Sequence, residues 1–168
     1  VLRDTVHPIA AARAVMERSD HVMFAGGGAD AFADAQGLEK VLDPANYYLD
    51  HVKHGSGGND TSHGTVGAVA LDNHGNLAAA TSTGGTFNKL PGRIGDTPII
   101  GAGTWADDSV AVSCTGNGEY FMRAATARDL AARYRYARQD INAAAWAALA
   151  EVKRLGGDGG LIAVDRQG

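Results

Sequence analysis

Cysteine is nearly absent: Cys114 stands alone among 168 residues, so no disulfide can close within the chain. That fits a reducing, cytoplasmic setting, and Cys114 reads as a small buried apolar residue. Basic runs are also missing, and the formal net charge is −4, which argues against a nucleic-acid backbone or an anionic membrane as partner. No apolar stretch approaches the roughly 20 residues that a membrane-spanning helix needs. The chain opens on Val1 rather than Met, so the lack of a visible leader carries no weight.

Glycine is what the chain has in excess, with 23 residues gathered in GGG, SGG, STGG, GAG, TGNG and GGDGG. Such clusters mark tight turns and places where backbone comes close to a ligand or to other backbone. With 45% hydrophobic and 20% charged residues, the rest is ordinary globular composition.

Pro8 suits the first position of a helix, with Ile9, Ala12, Val15 and Met16 repeating at helical spacing through Glu17. HVMFA (residues 21–25) reads as a short buried strand. A glycine turn at Gly26–Gly28 then opens a short helix closed near Gly37. Residues 43–64 have weak periodicity and end in HGSGGNDTSHG, the composition of a flexible linker. From Thr65 the character changes. TVGAVALD and LAAATST flank NHGN, a hairpin signature. PIIGAG and SVAVSCT read as two further strands, EYFMRAATARDLAARY and INAAAWAALAEVKRL as two amphipathic helices, the second stopped by Gly156 and Gly157. GGLIAVDRQG ends the chain with a strand whose second neighbour is missing, the mark of a piece of a longer protein.

Three constellations invite chemistry. G-x-G-x-x-A occurs as GGGADA at Gly26 and as GAGTWA at Gly101. The second runs into a strand-like segment and so lacks the helix N-terminus that holds a pyrophosphate. The first reads as a plain strand–turn–helix corner, with a nucleotide-binding module as its alternative. Asp50, His51, His54, Asp60 and His63 match no zinc spacing, and no metal site is expected there. The third is denser: Thr65, then TSTGG (residues 81–85), NKLPGRIGD (88–96) and SCTGNGE (113–119). Hydroxyls and glycines at strand ends are what an oxyanion pocket requires. Arg93 and Asp96, just past the Pro91–Gly92 turn, offer one cation and one anion for the two ends of an amino acid.

The string HGTVGAVALDNHGNLAAATSTGGTFNKLPGRIGDTPIIGAGTWAD, followed by AVSCTGNGE, closely resembles the plant-type L-asparaginases. These are isoaspartyl aminopeptidases of the N-terminal-nucleophile hydrolase superfamily. The resemblance continues through LGGDGGLIAVD and, more loosely, covers DTVHPIAAARAVMERSDHVMFAGGGADAFA. It implies an α+β fold, a four-layer αββα sandwich, apparently truncated at both ends here. It also implies self-cleavage between Gly64 and Thr65, dividing one domain into residues 1–64 and 65–168. The two subunits would stay together and pair as a dimer of two-subunit units.

By that resemblance Thr65 is the nucleophile and Thr83 its supporting hydroxyl. Thr115 and Gly116 donate to the oxyanion, and Arg93 and Asp96 anchor the α-carboxylate and α-ammonium of asparagine or a β-aspartyl dipeptide. No cofactor is required for this chemistry. The family's structural sodium is held by a glycine-rich loop that is not visible in the sequence. The chemistry is sound on first principles, because an α-amine with a pKa near ~8 can take the Thr65 proton only after the preceding amide has been cut. Glycosylasparaginase, a relative acting on sugar-linked asparagine, is the nearest alternative, and NKLPGRIGD argues against it. A non-catalytic fragment is the other.

Overall fold

The computed structural model describes residues 2–44, 46–47, 64–86 and 88–168. The chain divides into two compact units, Val1–Ser62 and His63–Gly168.

In the first unit, α1 (Pro8–Arg18) starts at its proline and α2 (Gly27–Ala35) follows the glycine turn. Gly26 and Gly37 take the left-handed backbone, φ +62° and +70°. Gly37 donates to Asp34 and Leu38 to Ala33, the paired bonds that satisfy a helix end through a left-handed residue. Ala11, Ala14, Ala29, Ala33 and Val41 are buried. The expected apolar stripe of α1 is therefore displaced: Met16 is 74% exposed and Ile9 42%. The expected strand at residues 21–25 does not form. No described strand pairs with it, Val22 lies 81% exposed, and Phe24 stacks on Phe32 of α2 at 4.8 Å between ring centroids. The nucleotide fingerprint at Gly26 thus lacks the strand its mechanism demands. At the start of the expected linker, Asp43 accepts from the Tyr47 N–H at 2.9 Å, a single helical turn. Residues 45 and 48–63, which include Asp50, His51, His54, Asp60 and His63, lie outside the described residues.

The second unit begins with the hairpin of β1 (Thr65–Leu71) and β2 (Leu77–Thr83), antiparallel from Thr65↔Thr83 to Leu71↔Leu77. Its turn is built by Asp72, whose carboxylate accepts from the backbone of His74 and Asn76 at 2.8 Å each, with Gly75 at φ +83°. A second antiparallel sheet has the order β3 (Thr104–Ala106), β4 (Val110–Gly116), β5 (Gly159–Asp165). The hairpin packs on one face of this sheet. On the other lie α3 (Gly118–Ala124), α4 (Thr126–Tyr136) and α5 (Ile141–Arg154). Val110, Val112, Cys114, Phe121, Leu130, Ala144, Ala148 and Val152 form the core between β4 and the helices. Period-2 alternation then turns Ser113 and Thr115 toward the hairpin. The fold is α+β.

Two expectations fail here. PIIGAG is not a strand but a series of turns, with the Asp96 carbonyl accepting from Ile99 (2.9 Å) and Gly103 (3.1 Å) and Gly101 at φ +88°. The strand is β3, which follows it, so GAGTWA does run into a strand. The segment 119–134 is two helices rather than one. Ala125, at φ +47°, breaks it so that the Ala127 and Arg128 N–H groups reach the carbonyls of Ala102 and Gly101, at 3.2 and 2.8 Å. The terminal strand pairs with β4 along its full length, and no described strand pairs its other edge. No helix among the described residues is long and apolar enough to cross a membrane.

Candidate active site

The hairpin register brings the first residue of β1 beside the last of β2. Thr65 Oγ1 donates to Thr83 Oγ1 at 3.1 Å, and Thr83 Oγ1 donates to the Gly64 carbonyl at 3.3 Å. The Gly85 N–H donates back to Thr83 Oγ1 at 3.0 Å. Thr83 thereby uses its one proton and both acceptor sites. One hydroxyl is hydrogen-bonded at once to the Thr65 side chain and to the carbonyl of the bond before it.

Across the gap between the sheets stands the C-terminal end of β4. Thr65 and Thr115 line one cavity of about 290 Å³, together with Gly67, Ser113, Gly160 and Leu161. Gly116 is next in the chain, at φ +148°, paired with Gly159. A Cβ there would strike the Asp158 carbonyl and the Phe121 ring, so only glycine fits. Asn117, not singled out from sequence, bonds the next turn to the glycine loop before β5. Its backbone N–H donates to the Asp158 carbonyl at 2.9 Å, and its Oδ1 accepts the Asp158 N–H at 2.8 Å.

Arg93 and Asp96 do not line that cavity; they converge on Gly118, at the start of α3. A Cβ on Gly118 would lie 2.8 Å from Asp96 Oδ1 and 3.1 Å from Arg93 Nη2. The two side chains do not pair with each other. Arg93 donates through Nε and Nη2 to Glu119 Oε1, at 2.8 Å each. Glu119 was also missed, although its place directly after the glycines of SCTGNGE marked it. Its carboxyl lies below the usual range, held by its own backbone N–H and by Arg93. Asp96 is only 6% exposed, and its Oδ2 is buried without a hydrogen-bond partner. Burial pushes its carboxyl above the ordinary range, against its own backbone N–H and the charge of Arg93. Burial also lifts the Cys114 thiol to about 12, with the nearby Asp96 charge adding to the effect, so Cys114 is inert as a nucleophile. Among the described residues no group of three or more His, Cys, Asp or Glu is gathered as metal ligands.

The second unit is thus an α+β protein with hydroxyls from two facing sheets around one cavity, beside a half-unpaired carboxylate and a clamped guanidinium. A family model described as asparaginase matches residues 1–168, and the chain belongs to that family. The isoaspartyl peptidase of Salmonella typhimurium is 49% identical over 182 residues, covering 96% of this chain and 58% of that protein. The isoaspartyl peptidase of Escherichia coli is 49% identical over 180 residues, covering 96% and 56%. The isoaspartyl peptidase/L-asparaginase of Xenopus laevis is 42% identical over 178 residues, covering 99% and 57%. The chain spans between half and two thirds of the length of these relatives.

Proposed function

We propose that the protein containing this chain cuts itself between Gly64 and Thr65 and then hydrolyses asparagine and β-aspartyl dipeptides through an ester on Thr65. The observation that carries the reading is the hydrogen-bonded series Thr65 Oγ1, Thr83 Oγ1, Gly64 carbonyl. In the cut, Thr65 Oγ attacks the Gly64 carbonyl carbon and its proton passes toward Thr83. Thr83 donates to the oxygen that becomes negative. The C–N bond breaks as the nitrogen takes up the proton given up by the Thr65 hydroxyl, leaving a Gly64 ester and a free Thr65 amine. Water hydrolyses the ester to a Gly64 carboxylate.

In turnover the new amine takes the Thr65 hydroxyl proton as Oγ attacks the β-carbonyl of the substrate. Thr115 and Gly116 donate to the oxyanion, and the leaving ammonia or amino acid carries the proton away. Water then releases aspartate from the β-aspartyl ester. Arg93 holds the α-carboxylate and Asp96 the α-ammonium, which supplies the partner that Asp96 Oδ2 lacks. The names of the relatives support this substrate class. No cofactor enters any step, and none of them passes through the family's sodium.

The same reading includes a four-layer αββα sandwich, subunits that remain associated after the cut and pair as a dimer of two-subunit units, and a cytoplasmic setting without nucleic-acid or membrane partners. Intact-mass measurement of the full-length protein tests it. Wild type converts from one chain to two, ending at Gly64 and beginning at Thr65, whereas Thr65→Ala stays whole. A Thr65→Ala protein cut at the same bond, with proteases excluded, removes Thr65 from the mechanism.

A further inference from the structure

Below the Thr65–Thr83 pair lies a second polar rung that the proposed chemistry does not use. Residues two apart on a strand share a face. Gly67 follows Thr65 by two on β1, Thr81 precedes Thr83 by two on β2, and the register pairs them. Facing them from β4 is Ser113, two before Thr115, and only 4% exposed. Thr81 Oγ1 and Ser113 Oγ share a hydrogen bond at 2.7 Å across the gap between the sheets. Thr104 of β3 donates to Thr81 Oγ1 at 2.6 Å and lies 3.2 Å from the Thr97 carbonyl. A Cβ on Gly67 would collide with Ser113 Oγ, so the side chain of one sheet meets bare backbone of the other.

Buried hydroxyls are costly unless bonded, and apolar side chains of the same shape would fill the space without that demand. What hydrogen bonds add over apolar packing is a fixed distance and direction. Here they join the hairpin bearing Thr65 and Thr83 to the strand bearing Thr115 and Gly116, one rung from both. We propose that Thr81, Ser113 and Gly67 are positioning residues that set the gap between the Thr65–Thr83 pair and Thr115–Gly116. This rests on the function proposed above. Thr81 and Ser113 make no hydrogen bond to Arg93 or Asp96, and Thr104, which touches the Thr97 carbonyl, is left unchanged. Loss of the Thr81–Ser113 bond therefore shifts the nucleophile relative to the oxyanion donors more than it disturbs substrate capture.

The test uses the full-length protein, a β-aspartyl dipeptide, and the variants Thr81→Val, Thr81→Ser and Ser113→Ala, with circular dichroism confirming the fold at the assay temperature. A misplacement near 1 Å can cost about 100-fold, so Thr81→Val and Ser113→Ala are expected to lower kcat by roughly 10- to 100-fold, with KM within about twofold. Thr81→Ser, which keeps the hydroxyl, restores kcat. A folded Thr81→Val or Ser113→Ala with wild-type kcat overturns the proposal, as does a Thr81→Ser protein as impaired as Thr81→Val. Should Thr81→Val fail to fold, Ser113→Ala decides on the same readout. Wild-type protein that neither cuts itself nor turns over sinks the proposed function and this role together. Active wild type beside an equally active Ser113→Ala sinks only the role.

Discussion

Asp96 is the residue at which stability and binding pull in opposite directions. Its carboxyl is raised by burial, so the folded protein holds the proton more tightly than the unfolded chain does. Stability from that preference is present at low pH and is lost as pH rises through the raised pKa. Asp96→Asn is therefore expected to keep or raise the thermal midpoint at pH 7. The same change removes the proposed ammonium partner, a loss of about 2–5 kcal/mol or ~30-fold or more in kcat/KM for asparagine. In wild type KM climbs as pH falls toward the raised pKa, because the protonated carboxyl no longer attracts a cation. A KM profile that is equally steep in Asp96→Asn assigns the titration to another group. Arg93 gives a graded case: Glu119 is half exposed, so Glu119→Gln should raise KM by no more than about fivefold. Steady-state kinetics at fixed pH checks this, and a fall in kcat instead would place Glu119 nearer the reacting atoms.

At the scale of elements, Ala125 separates what local pattern governs from what distant groups impose. The stretch 119–134 keeps helical spacing throughout, yet it breaks where the loop carbonyls of Gly101 and Ala102 take the first N–H groups of α4. An alanine at φ +47° is strained, and glycine would relieve it. Ala125→Gly is thus expected to raise unfolding stability by about 0.5–1 kcal/mol, read from the urea midpoint at unchanged slope. A lower midpoint would mean that the backbone entropy of glycine outweighs the strain. The same division explains what was legible beforehand. The β1–β2 hairpin and the end of α5 were readable because alternation, turn residues and stop signals are local. The turns of PIIGAG were not, since Asp96 gathers their N–H groups through contacts without a periodic signature. Likewise Thr65 and Thr83 could be named from the family-like string. Thr81, Ser113, Thr104 and Asn117 acquire meaning only when two sheets or two loops meet.

For the whole molecule, the consequence of the proposed cut depends on where the chain divides. The second compact unit begins at His63, so the proposed cut falls after its first two residues, at the start of β1. Thr65 is held by the register Thr65↔Thr83, the first of seven pairs between β1 and β2, which does not involve the bond before it. Under the proposed mechanism the new α-amine would arise on a strand already in place, with no refolding needed to meet the cavity. Processing should then leave the unfolding of the second unit nearly untouched. Calorimetry of processed wild type against uncut Thr65→Ala is expected to give that unit's midpoint within about 3 °C, less than the shift produced by 1 kcal/mol in a domain of this size. A midpoint lower by 10 °C or more, on the order of 2 kcal/mol, would show that the peptide bond before Thr65 holds β1 in its sheet. In that case the amine would arise on a strand end that frays, and the ready-made general base proposed for Thr65 would lose its structural ground.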